Sequence, residues 1–452
     1  MQMQASITTR LLADLAEKNL EESDLKRAAL HVLDWIACCA LGRLSIAGDV
    51  FQSLIDDDPI SSPKQAINLF HGRVHWTQAL NINAALGNVL EMDDIHRSSI
   101  LHPGPVIIPA ALAMAQVQKA SMKDFLEAVI WGYEITIRMG EAVGRSHYQY
   151  FHNTSSCAAI GAALSVSKVL KLSDSETVWA LGNAMSRTGG IWQMRNEKVL
   201  TKQWHNAQAA LSGAHAALAA RRGLSGPAFV LEGPQGVFAA MSTDARPEVF
   251  NAPSTHWRIH DCSFKPWPAC RHAHPAMDAL LSVLQHAEVA ATDVERVTIN
   301  TYRDAMVFCD RRTPVTPLEA KFSIQHAVSC LLLFQQPQLH HFDCDYIARE
   351  DVIALRDRVD VVFDANIEKL YPAHYGARCE ILLKDGKVLS AQVDDTLGDP
   401  EKPLSKPQFA HKISMLLSAA GVSASKTDAL LAMEWAKQDD LTSLNRLLED
   451  KI

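Results

Sequence analysis

Two stretches of small residues, 158–170 and 207–220, constrain this chain more than anything else in it. Both are crowded with Ala, Gly and Ser. Helices of such residues let neighbouring backbones come close, so these segments predict the buried centre of a helical bundle. Helical patterns surround them. Ser23 is placed to cap a helix whose apolar stripe is Leu25, Ala28, Val32, Trp35 and Cys39, ending at Gly42. Pro109 reads as the first-turn residue of an Ala-rich helix. Ser121 with Asp124 begins another, through Phe125, Ala128, Val129 and Ile135. Ser173 followed by Glu176 has capping-box spacing ahead of residues 178–181.

The pattern changes after Lys265. Val297, Ile299 and Thr301 alternate with Thr298 and Asn300, and residues 359–363 form another β-like run. Residues 378–383 and 387–393 flank Asp385-Gly386, the strongest short hairpin signal in the chain. Helical patterns at 275–285 and 322–333 lie among them. The expected fold is therefore mostly α: a large all-helical domain over 1–264, completed by 406–452, and a smaller α+β domain over 265–405. A length of 452 residues fits two domains, and the lack of a low-complexity linker favours a short hinge between them.

Composition then removes whole classes of function. Hydrophobic residues make up 48% and charged residues 21%, as in an ordinary globular protein. A formal charge of −8 without blocks of like charge argues against nucleic acid or an anionic membrane as partner. An anionic substrate would have to be held by a few local cations. The first residues carry acidic groups and no apolar segment, unlike a signal peptide, and no run reaches the length of a membrane span. Nine scattered cysteines, without a CxxC, fit a reduced cytoplasm and offer no iron–sulfur or zinc-ribbon signature.

Four segments place ionisable groups beside Gly, Pro or a helix end. The first holds Glu91, Asp93, Asp94, His96 and Arg97, followed by His102-Pro103-Gly104. Read as a helix C-terminus, it would put Asp93 and Asp94 at the unfavourable end of the dipole, which points to function. The second is Tyr150-Phe151-His152-Asn153-Thr154, and the third Thr201-Lys202-Gln203-Trp204-His205. Taken singly, a His beside aromatics is more often packed than catalytic, and a single Lys is usually solvated. The fourth runs from Phe264-Lys265 to His274-Pro275, its backbone fixed by prolines and a Trp. On a strand, Cys270, His272 and His274 would share a face and could bind a metal. Flanking prolines and the absence of HExxH or paired CxxC spacing weigh against that. No GxGxxG, GKS/T or GxSxG is present, and Gly161 and Gly182 read as packing glycines.

In this order, the segments resemble the MmgE/PrpD family, which includes 2-methylcitrate dehydratases, cis-aconitate decarboxylases and iminodisuccinate epimerases. The matching pieces are residues 83–94 (NAALGNVLEMDD), His102-Pro-Gly, Gly132-Tyr-Glu, Phe151-His152, Thr201-Lys202, residues 226–236, 264–275 and Lys321-Phe-Ser-Ile. The resemblance spans about residues 10 to 400. It implies the two-domain fold above, an active site in a cleft where the domains meet, a homodimer, and chemistry without metal or other cofactor. It also implies His102, His152, Lys202, Lys265 and Asp93 as catalytic candidates. Glu91, Asp94, Arg97, His272 and His274 are the substrate-binding candidates. The chain departs from the family's Asp-Phe-Asp-Asp-Thr with Glu91-Met92-Asp93-Asp94-Ile95. Its loop before His102 is one residue longer than in the decarboxylases and carries Arg97, and Asn153 stands where they tend to have Pro.

A dehydratase needs a base for a proton beside a carboxylate, an acid for the leaving hydroxide, and positive charge for the substrate's carboxylates. The two His and two Lys are the types that supply these, and an Asp can orient an imidazole. The expectation is a lyase on a small polycarboxylate, with dehydration of a 2-methylcitrate-like substrate first. Decarboxylation of cis-aconitate and epimerisation of a dicarboxylate follow. A catalytically silent binding protein is the alternative of another class.

Overall fold

The computed structural model describes residues 5–57, 59–197 and 199–451. The fold is mostly α with a smaller α+β part. It divides into two compact units, one made of Met1–Val89, Asp93–Cys262 and Ala410–Ile452, the other of Leu90–Met92 and Ser263–Phe409.

In the first unit the principal helices are α1 (Glu22–Gly42), α2 (Trp76–Leu86), α3 (Gly104–Gln118), α4 (Met122–Ala142), α5 (Asn153–Leu170), α6 (Asp174–Met185) and α7 (Thr201–Ala220). A short antiparallel hairpin, β1 (Gln65–Asn68) with β2 (Gly72–His75), precedes α2. The small-residue stretches lie on α5 and α7, which form the centre with α3 and α4. A Cβ on Gly161 would come 2.6 Å from the carbonyl oxygen of Gly132 on α4, and one on Gly213 would come 2.6 Å from that of Ala159. The backbones thus touch where side chains are absent, and close packing of this kind is what dispersion rewards. Gly182, by contrast, makes room for the loop at Pro227.

Local capping explains most helix starts. Ser121 accepts from the Asp124 N–H, and Ser173 and Glu176 form the reciprocal box. Two expectations are corrected. Ser23 lies inside α1; the cap is Glu21, whose own N–H is taken by Asp24 at 2.8 Å, so a carboxylate pair does what the serine was assigned. Pro109 lies inside α3, because Pro105 already occupies the first turn, where a missing N–H costs nothing.

The second unit carries a four-stranded sheet of β3 (Val294–Thr301), β4 (Val359–Phe363), β5 (Ala377–Leu383) and β6 (Val388–Val393), in the order β4-β3-β5-β6. β3 runs parallel to β4 and antiparallel to β5. The β5–β6 hairpin turns at Asp385-Gly386, with Gly386 at φ +88, a conformation glycine adopts without a Cβ penalty. Helix α8 (His274–His286) packs on β5 and β6, and α9 (Ile324–Phe334) on α8 and β4. The tail helix α10 (Lys406–Ala419) brings Lys412 into the first unit, paired with the buried Asp34 of α1. Among the described residues no single helix is long and apolar enough to cross a membrane. The bent pair Glu22–Gly42 with Ile46–Ile55 passes by length and composition alone, and its first member is largely core.

Candidate functional site

Helix α2 stops at Leu86 with Gly87 as its C-cap, so Asp93 and Asp94 do not close a helix as the sequence suggested. They lie in an irregular segment that leads into α3, where Asp94 Oδ1 accepts the Gly104 N–H at 3.1 Å. Asp94 thus sits at a helix N-terminus, the favourable end of the dipole. Its Oδ2 takes two further donors, the Tyr133 hydroxyl at 2.6 Å and His31 Nδ1 at 2.6 Å. Burial first, then the charge of Arg27, lowers the His31 pKa to about 4, so the ring is neutral and donates from Nδ1. Burial and then Asp94 push the Tyr133 phenol well above its ordinary range, which keeps it a donor.

Asp93 accepts from Asn88 Nδ2 at 2.7 Å, and its Oδ2 lies 2.9 Å from His102 Nδ1. The same nitrogen lies 2.9 Å from the backbone oxygen of Asp94. Both neighbours are acceptors only, so Nδ1 carries a proton, and in the neutral ring it is Nε2 that keeps the lone pair. The His102 main chain is pinned as well, its N–H donating to Thr154 Oγ1 at 3.0 Å in the first turn of α5. His102 retains 13% of its side-chain exposure, enough to meet a small molecule.

His152 immediately precedes α5, packed against Trp192 with ring centroids 4.7 Å apart and with Nδ1 3.3 Å from His205 Nδ1. Burial lowers its pKa well below the ordinary value; Lys202, His205 and His102 act in the same direction, and Asp93 opposes them. Those causes place Asp93, His102, His152, Lys202 and His205 in one electrostatic neighbourhood. Lys202, in the first turn of α7, is half-buried. Arg97 is buried beside His96, whose own Nδ1 is 2.8 Å from Ser99 Oγ.

The remaining candidates belong to the second unit. Lys265 is fully buried with Nζ 3.8 Å from Glu91 Oε2. Glu91 has φ +56, a left-handed conformation costing a non-glycine residue of the order of 1 kcal/mol or more. His272 is stacked between Phe308 and Tyr375, with Nδ1 2.8 Å from the Tyr302 hydroxyl. His274 Nδ1 lies 3.1 Å from Arg271 and its Nε2 3.0 Å from the Ala269 carbonyl. This segment is a 3₁₀ turn running into α8, not a strand, so Cys270, His272 and His274 do not share a face. Among the described residues, the group with three ligand atoms within 4.8 Å is instead His374, Asp395 and Glu401, with Glu401 exposed.

The first unit therefore gathers Asp93, Asp94, His102, His152 and Lys202, and the second gathers Glu91 and Lys265. His31, Asn88, Tyr133 and His205 were not singled out as site residues. Asn88, Tyr133 and His205 lie inside quoted segments, and His31 is a polar residue amid the apolar run of α1. Chemically, the first cluster offers a base with a fixed tautomer and a second, desolvated imidazole.

The MmgE/PrpD N-terminal domain model matches residues 8–249 and the MmgE/PrpD C-terminal domain model residues 267–437. A cis-aconitate decarboxylase-like protein of Aspergillus oryzae is 25% identical over 90% of this chain and 89% of its own length. The cis-aconitate decarboxylase of Homo sapiens is 28% identical over 84% of this chain and 78% of its own. The 2-methylcitrate dehydratase of Escherichia coli is 24% identical over 54% of this chain and 52% of its own. With both domain models matched in order along the chain, it belongs to the MmgE/PrpD family of lyases.

Proposed function

We propose that this lyase eliminates water from a small hydroxy-polycarboxylate of the 2-methylcitrate type. The observation that supports this reading is the His102 imidazole, whose Nδ1 is held between Asp93 and the Asp94 carbonyl at 2.9 Å each. Its Nε2 takes the proton from the carbon next to a carboxylate. The C–H electron pair becomes the new double bond, and the C–O bond to the neighbouring hydroxyl breaks. The hydroxide leaves as water with a proton from His152. Burial, then the charge of Lys202, favours the neutral form of His152; carboxylates bound beside it add negative charge and favour its protonated form. Lys202 supplies charge to those carboxylates. Lys265, which is paired with Glu91, is proposed from the family resemblance as a further cation for the substrate's carboxylates. Neither proton transfer requires a metal, so activity should survive EDTA.

A second reading, decarboxylation of cis-aconitate, is favoured by one observation. The two decarboxylase-named relatives match 90% and 84% of this chain, against 54% for the E. coli dehydratase. There the C–C pair freed by loss of carbon dioxide becomes a new terminal double bond. The pair of the old double bond shifts to the carbon beside the remaining terminal carboxylate, and that carbon takes a proton from an imidazolium. Proton NMR of EDTA-treated protein with 2-methylcitrate, citrate and cis-aconitate in deuterated buffer separates the two. An alkene from a hydroxy-acid supports dehydration, and itaconate from cis-aconitate supports the second reading. No conversion or exchange with any of the three would count against both.

A further inference from the structure

Asp94 is a substrate-binding candidate by resemblance, yet its carboxylate is already fully engaged. Oδ1 holds the Gly104 N–H, and Oδ2 holds both the Tyr133 hydroxyl and His31 Nδ1. The side chain is buried, with 3% exposure. An anion so placed has little to offer a substrate carboxylate. Its backbone carbonyl, however, is one of the two acceptors on His102 Nδ1. Fixing both carboxylate oxygens fixes the residue, and with it the direction of that carbonyl.

Gly104 shows why the family-like His102-Pro-Gly sequence needs its glycine here. It is not among the residues with positive φ, so backbone freedom is not the reason. A Cβ at this position would lie 2.7 Å from Asp94 Oδ1 and 3.0 Å from the Tyr133 hydroxyl. The missing side chain is the space that the carboxylate occupies. His31 is held from behind through α1, one turn from Asp34, which pairs with Lys412 of the tail helix.

We propose that Asp94 is a positioning residue for His102, and that His31, Tyr133 and the bare Gly104 form the cradle that holds it. The inference rests on His102 being the acid–base group of the reading above. With Asp93 and the Asp94 carbonyl both on Nδ1, the imidazole can neither rotate nor present its other tautomer, and Nε2 stays aimed outward. Such supporting contacts change activity by about 10- to 100-fold when removed.

The test compares Gly104→Ala and Tyr133→Phe with the wild-type protein. Imidazole ¹⁵N NMR reads the His102 tautomer, its signal assigned by its loss in His102→Asn. Turnover is measured on whichever acid is converted. Gly104→Ala should lower kcat by about 10- to 100-fold with little change in KM, and should bring in the Nε2-protonated tautomer. Tyr133→Phe should move both readouts less, in the same direction; if Gly104→Ala does not fold, it decides alone. An unchanged tautomer in the folded variants would overturn the proposal. So would a raised KM at constant kcat, which would make Asp94 a substrate ligand. Full activity of His102→Asn would instead sink the proposed function, while the tautomer still reports on the cradle.

Discussion

The packed centre where α4 and α5 meet the buried face of α7 and the irregular segment from Asn88 to Gly104 are both largely buried, but they are held by opposite means. The helices meet through missing atoms, at Gly132, Gly161 and Gly213, and their polar backbone groups are satisfied within each helix. The segment meets its surroundings through side-chain hydrogen bonds, several to charged groups, and carries positive φ at Glu91 and Ile100. A region stabilised by close backbone approach tolerates nothing larger. A region stabilised by polar partners tolerates isosteric change but not loss of a donor. The first supplies rigidity, and the second uses it to hold imidazoles in one orientation.

The comparison breaks most visibly at Gly161. Replacing it with Leu would drive a side chain into the backbone of α4, costing upwards of about 3 kcal/mol; a melting temperature close to wild type would show that the helices can part. Next comes the buried Lys265–Glu91 pair. Lys265→Met should cost roughly 3 kcal/mol in chemical denaturation, because Glu91 loses its cation. Adding Glu91→Gln should recover much of that stability without restoring activity. Recovery of activity by the double variant would remove Lys265 from the site.

The smallest effect concerns pH. His31 has a pKa lowered to about 4 in the folded protein, against an ordinary 6.5. The folded state therefore binds fewer protons than the unfolded chain between those values. This contribution is harmless above pH 6.5 and destabilises progressively as pH falls toward 4. Between pH 7.5 and 5 it amounts to about 2 kcal/mol. His31→Gln should flatten that part of the stability curve; an equally steep curve in the variant would assign the loss to other groups, such as His326.

How much of this was legible in the sequence follows from the same contrast. The small-residue helices, the Ser121 and Ser173 caps and the Asp385-Gly386 hairpin are local, so composition and spacing reveal them. Pro109 and Ser23 misled because another residue nearby already filled the role each was given. The cradle around Asp94 is non-local: its His31 and Tyr133 partners lie 63 and 39 residues away in sequence. No local periodicity encodes such a meeting. His102, His152, Lys202 and Lys265 were marked by resemblance, and Asp94 was assigned to substrate because the donors that occupy it were out of local view. The metal reading of Cys270, His272 and His274 failed on backbone, since alternate residues share a face only on a strand.

The most direct test of the account is deuterium incorporation at the carbon beside a substrate carboxylate, wild type against His102→Asn, with thermal melting measured on both. The account predicts that the variant melts like the wild type and exchanges about 10²- to 10⁴-fold more slowly. Undiminished exchange in a folded His102→Asn protein would contradict it, and would move the base to another residue.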